Sequence, residues 1–220
     1  MHTGILRRAG VVLLALGAID LAVTIVRLTE AGPYPASIDA AAAIAGLALL
    51  FGGPRAALWV RSIAVFLLAA GIALVVAVPF YQPLNLTITQ IRLEPWTFIP
   101  KAAELAFTLC VLFWAARELG RRPVLDAIIT AGIKRWDMSI PAQAGAGVVA
   151  LGCLLLWLAL QGQTKQLAES LALEQLGPGY RYHLSWISKT SIGHGTSVAG
   201  MVTAWNDREI KTVVLHWETP

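Results

Sequence analysis

The chain has 220 residues, of which 57% are apolar and only 14% are charged, with a formal net charge of +4. An ordinary globular protein carries roughly 25% charged residues, so this composition excludes a water-soluble enzyme. It also excludes a disordered tail, a collagen-like rod and a disulfide-stapled mini-protein, because apolar residues are too many and cysteines too few. The sequence therefore predicts a membrane protein with several spanning helices.

Five apolar stretches approach or reach the length that crosses a membrane. A helix needs about 20 mostly apolar residues to cross the roughly 30 Å hydrocarbon core. Prolines and glycines separate the stretches, with a clear break at Gly52-Gly53-Pro54 and a long outer loop opened by Pro79 and closed by Pro100. The second stretch, which carries Asp39, is the one that a four-span arrangement would lose. The predicted spans lie near residues 10–28, 34–52, 57–81, 100–116 and 141–162.

The basic residues predict a cytoplasmic N-terminus, because short cytoplasmic connections carry an excess of Lys and Arg. In that orientation only three basic residues fall in outer loops, namely Arg27, Arg92 and Lys101. Nine fall in inner segments, which contain Arg7, Arg8, Arg55, Arg61, Arg117, Arg121, Arg122, Lys134 and Arg135. Five spans then place the residues after Gly162 outside. Since the composition is typical of bacteria, we expect a multi-pass protein of the cell (inner) membrane with a periplasmic or extracellular C-terminal domain.

The segment between the fourth and fifth spans has the pattern of an amphipathic helix. Within residues 121–137, apolar residues such as Val124, Ile128 and Trp136 fall largely on one side of a helical wheel, with polar residues mostly opposite. A helix of this kind lies at the membrane interface on anionic lipid. We therefore expect a connector there, with a regulatory or partner-docking role as the alternative.

After the last predicted span the pattern becomes that of a small α+β domain. Residues 164–176 predict a short helix that stops at Gly177-Pro178-Gly179. The alternation that begins at Tyr180 predicts strands, and turns are expected at residues 192–195 and 206–209. These signals together predict a helix followed by a three-stranded meander.

The fold class predicted from the whole chain is a membrane all-α helical bundle of about five transmembrane helices over residues 1–162, with a small C-terminal α+β extramembrane domain over residues 163–220. A domain of that size, without disulfides or metal, is near the lower limit for burying enough surface. Its three-stranded antiparallel sheet also has two edges to which another chain can add a strand. Trp186, Trp205 and Trp217 lie on the predicted strands and form the core or, in part, a contact surface for a partner.

Acidic residues within the spans are the candidates for binding a ligand or a proton. Asp20 lies near the middle of the first span, while Asp39 and Glu104 lie about 6 Å towards the outside. An ionised Asp at a helix centre costs about 2.5–3.5 kcal/mol unless it pairs, meets water or binds a proton. Asp39 and Glu104 fall in the first turns of their helices, where the helix dipole favours an acid. Asp20 lacks that explanation, so we expect an internal bridge, for example with Arg27, or a transport, proton or ligand role.

The string Gly193-His194-Gly195-Thr196-Ser197-Val198-Ala199-Gly200 resembles the histidine motif of subtilisin-like serine proteases over these eight residues. In that family a Gly-Thr-Ser nucleophile motif follows far downstream, within a large α/β domain. The residues after Gly200 contain no such motif, so the nucleophile of a triad has no counterpart here. We predict a glycine-rich hairpin at this position and no catalytic residue.

The sequence predicts neither a metal site nor a cofactor. His183, His194 and His216 all lie in the outer domain but lack the spacing of metal ligands. No histidine lies inside a predicted span, so haem has no axial ligand there, and no nucleotide-binding loop is present. Cys110 and Cys153 stand alone in different helices. No basic face with interleaved aromatic residues lies outside the span boundaries, so we expect no nucleic-acid partner.

Three functions are compatible with these patterns. The first is a non-catalytic integral membrane protein, an accessory or assembly subunit that presents its outer domain to another membrane or periplasmic protein. The second is a small transporter or ligand-binding membrane protein that uses Asp20, Arg27, Asp39 and Glu104 in an outward-facing acidic cavity. The third and weakest is a membrane-bound hydrolase built on His194 and Ser197. In each case the lipid bilayer is the first expected partner.

Overall fold

The computed structural model describes residues 2–29, 40–160, 162–192 and 195–219. Over these residues the chain forms eight helices followed by one three-stranded antiparallel sheet, so the predicted order of a helical part and a C-terminal sheet is confirmed. The helices are α1 (His2–Thr29), α2 (Ala40–Phe51), α3 (Gly53–Tyr81), α4 (Leu84–Leu93), α5 (Pro95–Glu118), α6 (Arg122–Thr130), α7 (Ser139–Ala159) and α8 (Gln163–Leu176). The strands are β1 (Arg181–Ile192), β2 (Gly195–Trp205) and β3 (Ile210–Thr219).

Four of the described helices are long and apolar enough to cross a membrane. They are α1, through its segment His2–Ile19, and the helices α3, α5 and α7. Helix α2 is apolar but has only 12 residues, which corresponds to a rise of about 18 Å. Residues 34–39 of the predicted second span lie outside the described residues. A complete crossing by that segment stays a prediction.

The segment between α3 and α5 differs from the predicted loop, because it contains helix α4 and because α5 begins at Pro95. Pro79 and Pro100 lie inside α3 and α5 and do not end them. Pro79 lies in the last turn of α3 and Pro100 in the second turn of α5. Near a helix end the missing N–H of a proline removes at most one backbone hydrogen bond. The prediction of a loop bounded by these prolines is therefore wrong.

The chain divides into two compact units, of which the first comprises Met1–Gly71 and Thr108–Ala146. In this unit α1 and α2 form an antiparallel helical hairpin, held together by glycines. A Cβ atom added to Gly46 would lie 2.6 Å from the backbone nitrogen of Leu14, and one added to Gly17 would lie 2.6 Å from that of Ala43. The backbones of α1 and α2 can approach so closely only because these positions lack side chains.

Contacts in the first unit also fix the relative directions of the three long helices. Ser62 of α3 contacts Met138, which directly precedes α7, and further along α3 the backbone carbonyl of Phe66 lies against Gly145. Helices α3 and α7 therefore run parallel. Helix α5 runs antiparallel to α3, because Gly120 lies beside Arg61 and Leu109 lies beside Gly71.

The N-terminal ends of α1 and α3 meet the C-terminal end of α5 in one buried apolar cluster. Helix α6 covers this cluster with the buried side chains of Val124 and Ile128. The helix ends at Thr130, earlier than residue 137, where the amphipathic pattern ends, because Gly132 adopts a positive φ of 68°. The full cluster contains Leu6, Ala9, Leu13, Leu49, Ala57, Leu58, Val60, Leu119, Val124 and Ile128.

The second unit comprises Ile72–Phe107 and Gly147–Pro220 and contains the C-terminal domain. Its strands form a meander in the order β1-β2-β3, and α8 packs against one face of the sheet. The turn between β2 and β3 is closed by Asn206, whose side-chain oxygen accepts hydrogen bonds from the backbone N–H groups of Arg208 and Glu209. The buried core between α8 and the sheet includes Ala168, Ala172, Leu184, Val202 and Leu215.

We expect Gly46→Ala to lower the thermal unfolding temperature of the detergent-solubilised protein. The added Cβ would meet backbone atoms of α1, so the hairpin must open, and overpacking of this kind costs about 1–3 kcal/mol. The matched control is Gly147→Ala, because a Cβ at Gly147 of α7 meets nothing within 4 Å. Equal unfolding temperatures for the two variants would contradict the close packing of α1 and α2.

Candidate functional site

The structure places the three tryptophans of the C-terminal domain in different environments. Trp205 is only 5% exposed, and Trp217 packs against the core, with its ring directly over Gly200. Trp186 is 48% exposed. The pairing of β1 with β2 is irregular between Leu184 and Trp186, where one extra residue enters β1. Such a bulge reverses the alternation, so Trp186 leaves the face on which Leu184 is buried.

The bulge aligns Trp186 with two further apolar side chains across the sheet. Trp186 pairs with Met201 of β2, and Met201 pairs with Val214 of β3. Val214 is 52% exposed and Met201 is half-buried. The neighbouring residues Val202 and Leu215 are buried in the core with α8, so the alternation of a strand puts Met201 and Val214 on the opposite face. We call Trp186, Met201 and Val214 the Trp186 row.

The two edges of the sheet have different surroundings. Because β2 is central, β1 and β3 are the edge strands. On β1, the backbone N–H of Leu184 donates a hydrogen bond to the carboxylate of Glu169 on α8. Burial raises the pKa of Glu169, while the charge of Lys165 and this hydrogen bond oppose the rise. Helix α8 therefore covers part of the β1 edge with a polar side chain.

A polar network fixes the start of β3. The Tyr180 hydroxyl donates a hydrogen bond to the Glu209 carboxylate, and the Lys211 ammonium donates to the same carboxylate at 2.9 Å and to the Tyr180 oxygen at 2.8 Å. These bonds from Tyr180 and Lys211 lower the pKa of Glu209. Arg92 of α4 donates to the backbone carbonyl of Asp207 at 2.8 Å. The turn before β3 is thus tied both to the start of β1 and to α4.

A cavity of about 240 Å³ lies within the second unit, where the ends of α3 and α7 approach the C-terminal domain. Its aromatic and apolar wall is formed by the end of α3 and by Trp157 and Leu160, and its polar wall includes Lys165 of α8 and His183 of β1. The described lining consists of Pro79, Phe80, Tyr81, Gln82, Pro83, Trp157, Leu160, Lys165, His183 and Leu184.

The polar groups of this cavity are positioned by hydrogen bonds and by charge. The amide of Gln82 donates to Gln90 of α4 at 2.8 Å. The His183 ring is bonded to the backbone carbonyl of Tyr81, which joins β1 to the end of α3. Burial lowers the pKa of His183; the bond to Tyr81 opposes this, and the nearby charge of Lys165 adds to the lowering. At neutral pH the cavity therefore presents a neutral imidazole beside an ammonium group.

The acidic candidates from the sequence do not line this cavity within the described residues. Asp20 and Arg27 belong to α1, but the structure does not describe their side chains, and Asp39 lies outside the described residues. Glu104 lies on α5 with an exposed side chain. The roles of these four residues as ligand or proton sites stay predictions.

No pattern in the sequence indicates Lys165, Tyr81 or Gln82 as site residues. These residues come from separate elements, and no spacing in the chain indicates that they meet. His183 was considered only as a metal ligand. Among the described residues no group of three His, Cys, Asp or Glu side chains could hold a metal ion, and His194 lies outside that part of the chain.

Comparison with protein-family models, with curated proteins and with solved structures finds no match to this chain.

We expect the protein to lose stability on acidification because of His183. Above its ordinary pKa of 6.5 the imidazole is neutral in both the folded and the unfolded chain, so its contribution to stability is fully present. As the pH falls below that value the unfolded chain binds a proton more readily than the folded domain does, because burial lowers the folded-state pKa. Thermal unfolding at about pH 7.5 and at about pH 5.5 measures the loss.

The control for this prediction is His183→Gln, which keeps a hydrogen-bonding side chain but does not titrate. Its unfolding temperature should fall less between the two pH values than that of the unsubstituted protein. The same fall in both proteins would show that His183 is not the group responsible.

Proposed function

We propose that the protein is a non-catalytic integral membrane protein, an accessory or assembly subunit that presents its C-terminal domain to a protein partner outside the cell membrane. The observation that carries this proposal is the Trp186 row. It is an apolar strip on the sheet face opposite α8, within a domain whose core is complete without it. Tryptophan is among the residues that contribute most to binding at protein interfaces.

The edge strand β3 supports the same proposal. It has 10 residues, and among the described strands it pairs with β2 alone, so its other side is an edge of the sheet to which a strand can be added. Main-chain hydrogen bonds along such an edge provide affinity, and side chains on the exposed face provide specificity. Val214 belongs both to β3 and to the Trp186 row. A partner strand beside β3 would therefore contact the apolar row as well.

The helix directions support a C-terminal domain on the outside. In the α1–α2 hairpin, Gly10 lies against Leu50, so α2 returns the chain to the end at which α1 begins. Helices α3 and α7 then start from that end. Arg55 lies in the first turn of α3, and Arg121 and Arg122 lie at the start of the segment that connects α5 to α7. The excess of basic residues there favours a cytoplasmic location in a bacterial cell. Because α2 returns the chain to that end, α7 leads outward to the C-terminal domain.

A second function, that of a ligand-binding membrane protein, is favoured by the cavity at the ends of α3 and α7. The sequence suggested an acidic cavity built on Asp20, Asp39 and Glu104. The described lining contains Lys165 and His183 and carries no carboxylate. This lining therefore supports the binding of an anion.

A photo-crosslinking amino acid in place of Val214 should form a covalent adduct with one protein partner in native membranes. The matched control position is Ser170, an exposed residue of α8 on the other side of the domain. The adduct should be absent at Ser170, and Trp186→Ser should weaken it at position 214, because the row loses its largest apolar side chain. Gel electrophoresis of the adduct, relative to the 23.5 kDa chain, measures the added mass.

Two results would contradict this proposal. One is adducts at position 214 with lipid alone, which would assign the Trp186 row to the membrane surface. The other is equal adducts at positions 170 and 214, which would indicate non-specific collision.

A further inference from the structure

The cavity near His183 has one apolar wall and one basic wall. Phe80 of α3 is 76% exposed and Trp157 of α7 is 46% exposed, and both lie at the ends of helices long enough to cross a membrane. Aromatic residues at such ends are typical of the boundary between hydrocarbon and head groups. Lys165 and His183 belong to the C-terminal domain, which follows the last helix long enough to cross a membrane. The cavity therefore combines apolar and basic groups, as the boundary between hydrocarbon and head groups does.

We infer that this cavity binds the anionic head group of a membrane lipid, with its phosphate facing Lys165 and its acyl chains along Phe80 and Trp157. A volume of about 240 Å³ is smaller than the roughly 300–1,000 Å³ of sites that enclose a small molecule. It is suited to a head group whose chains stay in the bilayer. The shared chemistry is a phosphate ester, which could also come from a soluble molecule.

The charges around the cavity favour an anion over a zwitterion. Lys165 lies 3.9 Å from Glu169, and both side chains are partly exposed, so this ion pair is weak and leaves ammonium N–H groups available. Glu169 is not part of the described lining. A choline head group would bring its own cation towards Lys165 and would be repelled. A glycerol head group brings only the phosphate charge and hydroxyls.

Both walls are held in place without a ligand. The hydrogen bond between Gln82 and Gln90 joins the end of α3 to α4, and the His183 ring lies next to the backbone carbonyl of Tyr81 at that same end. Because these groups are already ordered, binding a head group requires little further loss of conformational freedom. The lipid would in turn bridge α3, α7 and α8.

The test uses the full chain, purified in a mild detergent and examined by native mass spectrometry. Dioleoyl-phosphatidylglycerol is titrated against dioleoyl-phosphatidylcholine, and the retained adducts are counted as the collision energy rises. We expect phosphatidylglycerol to be retained in preference. Lys165→Gln should weaken its binding about tenfold, as expected for loss of one charge-assisted hydrogen bond. Lys165→Arg should restore it.

The matched control is Arg208→Gln, which removes an exposed positive charge from the same domain at the turn between β2 and β3, outside the described lining of the cavity. It should bind phosphatidylglycerol as the unsubstituted protein does. Lys165 is exposed enough that its substitution should leave the fold intact, and thermal unfolding of each variant checks this.

Four outcomes would overturn the inference. Equal retention of the two lipids would exclude selection for an anion. An unchanged affinity in Lys165→Gln, or an equal loss in Arg208→Gln, would place the binding elsewhere. Protection against thermal unfolding by soluble glycerol phosphate that matches the protection by phosphatidylglycerol would assign the cavity to a soluble phosphate ester. None of these outcomes depends on whether a protein partner binds the Trp186 row.

Discussion

The need to cover the apolar surface of α3, α5 and α7 is the constraint on which the rest of the structure depends. Only 6% of the most apolar stretch of each of these helices is buried within the protein. Exposed side chains such as Phe107 and Leu154 would each cost about 1.5–3 kcal/mol in water relative to burial. A bilayer removes that cost, and it requires backbone groups at that depth to be hydrogen-bonded within helices. A bilayer therefore disfavours polar groups everywhere except at the helix ends and in the C-terminal domain.

This constraint explains the role of the short helix α2. A 12-residue apolar helix does not cross a bilayer alone, yet its glycine contacts with α1 bring the chain back to the end at which it began. Helices α3, α5 and α7 then alternate in direction, with the basic segments at the common end of α1 and α3. The account of a partner-binding domain rests on this layout, because it needs the C-terminal domain at the outer surface.

Much of the fold follows from local patterns in the sequence. The sheet was predictable because apolar alternation is local, and so was the turn at Asn206, where one side chain closes the loop. The bulge beside Ser185 was not predictable, since it depends on pairing with β2, and it moves Trp186 from the expected core face to the exposed one. The cavity was also missed, because Lys165 and His183 meet only through tertiary packing. Asp20 was a candidate because it lies near the middle of a predicted span. The structure does not describe its side chain, so that prediction is not tested.

The location of the C-terminal domain is tested most directly by labelling single cysteines in intact cells. With Cys110 and Cys153 replaced by Ser, one variant carries Arg208→Cys in the domain and the other Arg122→Cys at the start of α6, both at exposed positions. A membrane-impermeant maleimide should label the first without treatment and the second only after the inner membrane is permeabilised. Labelling of both cysteines under the same condition would place the two segments in one compartment and contradict the proposed arrangement.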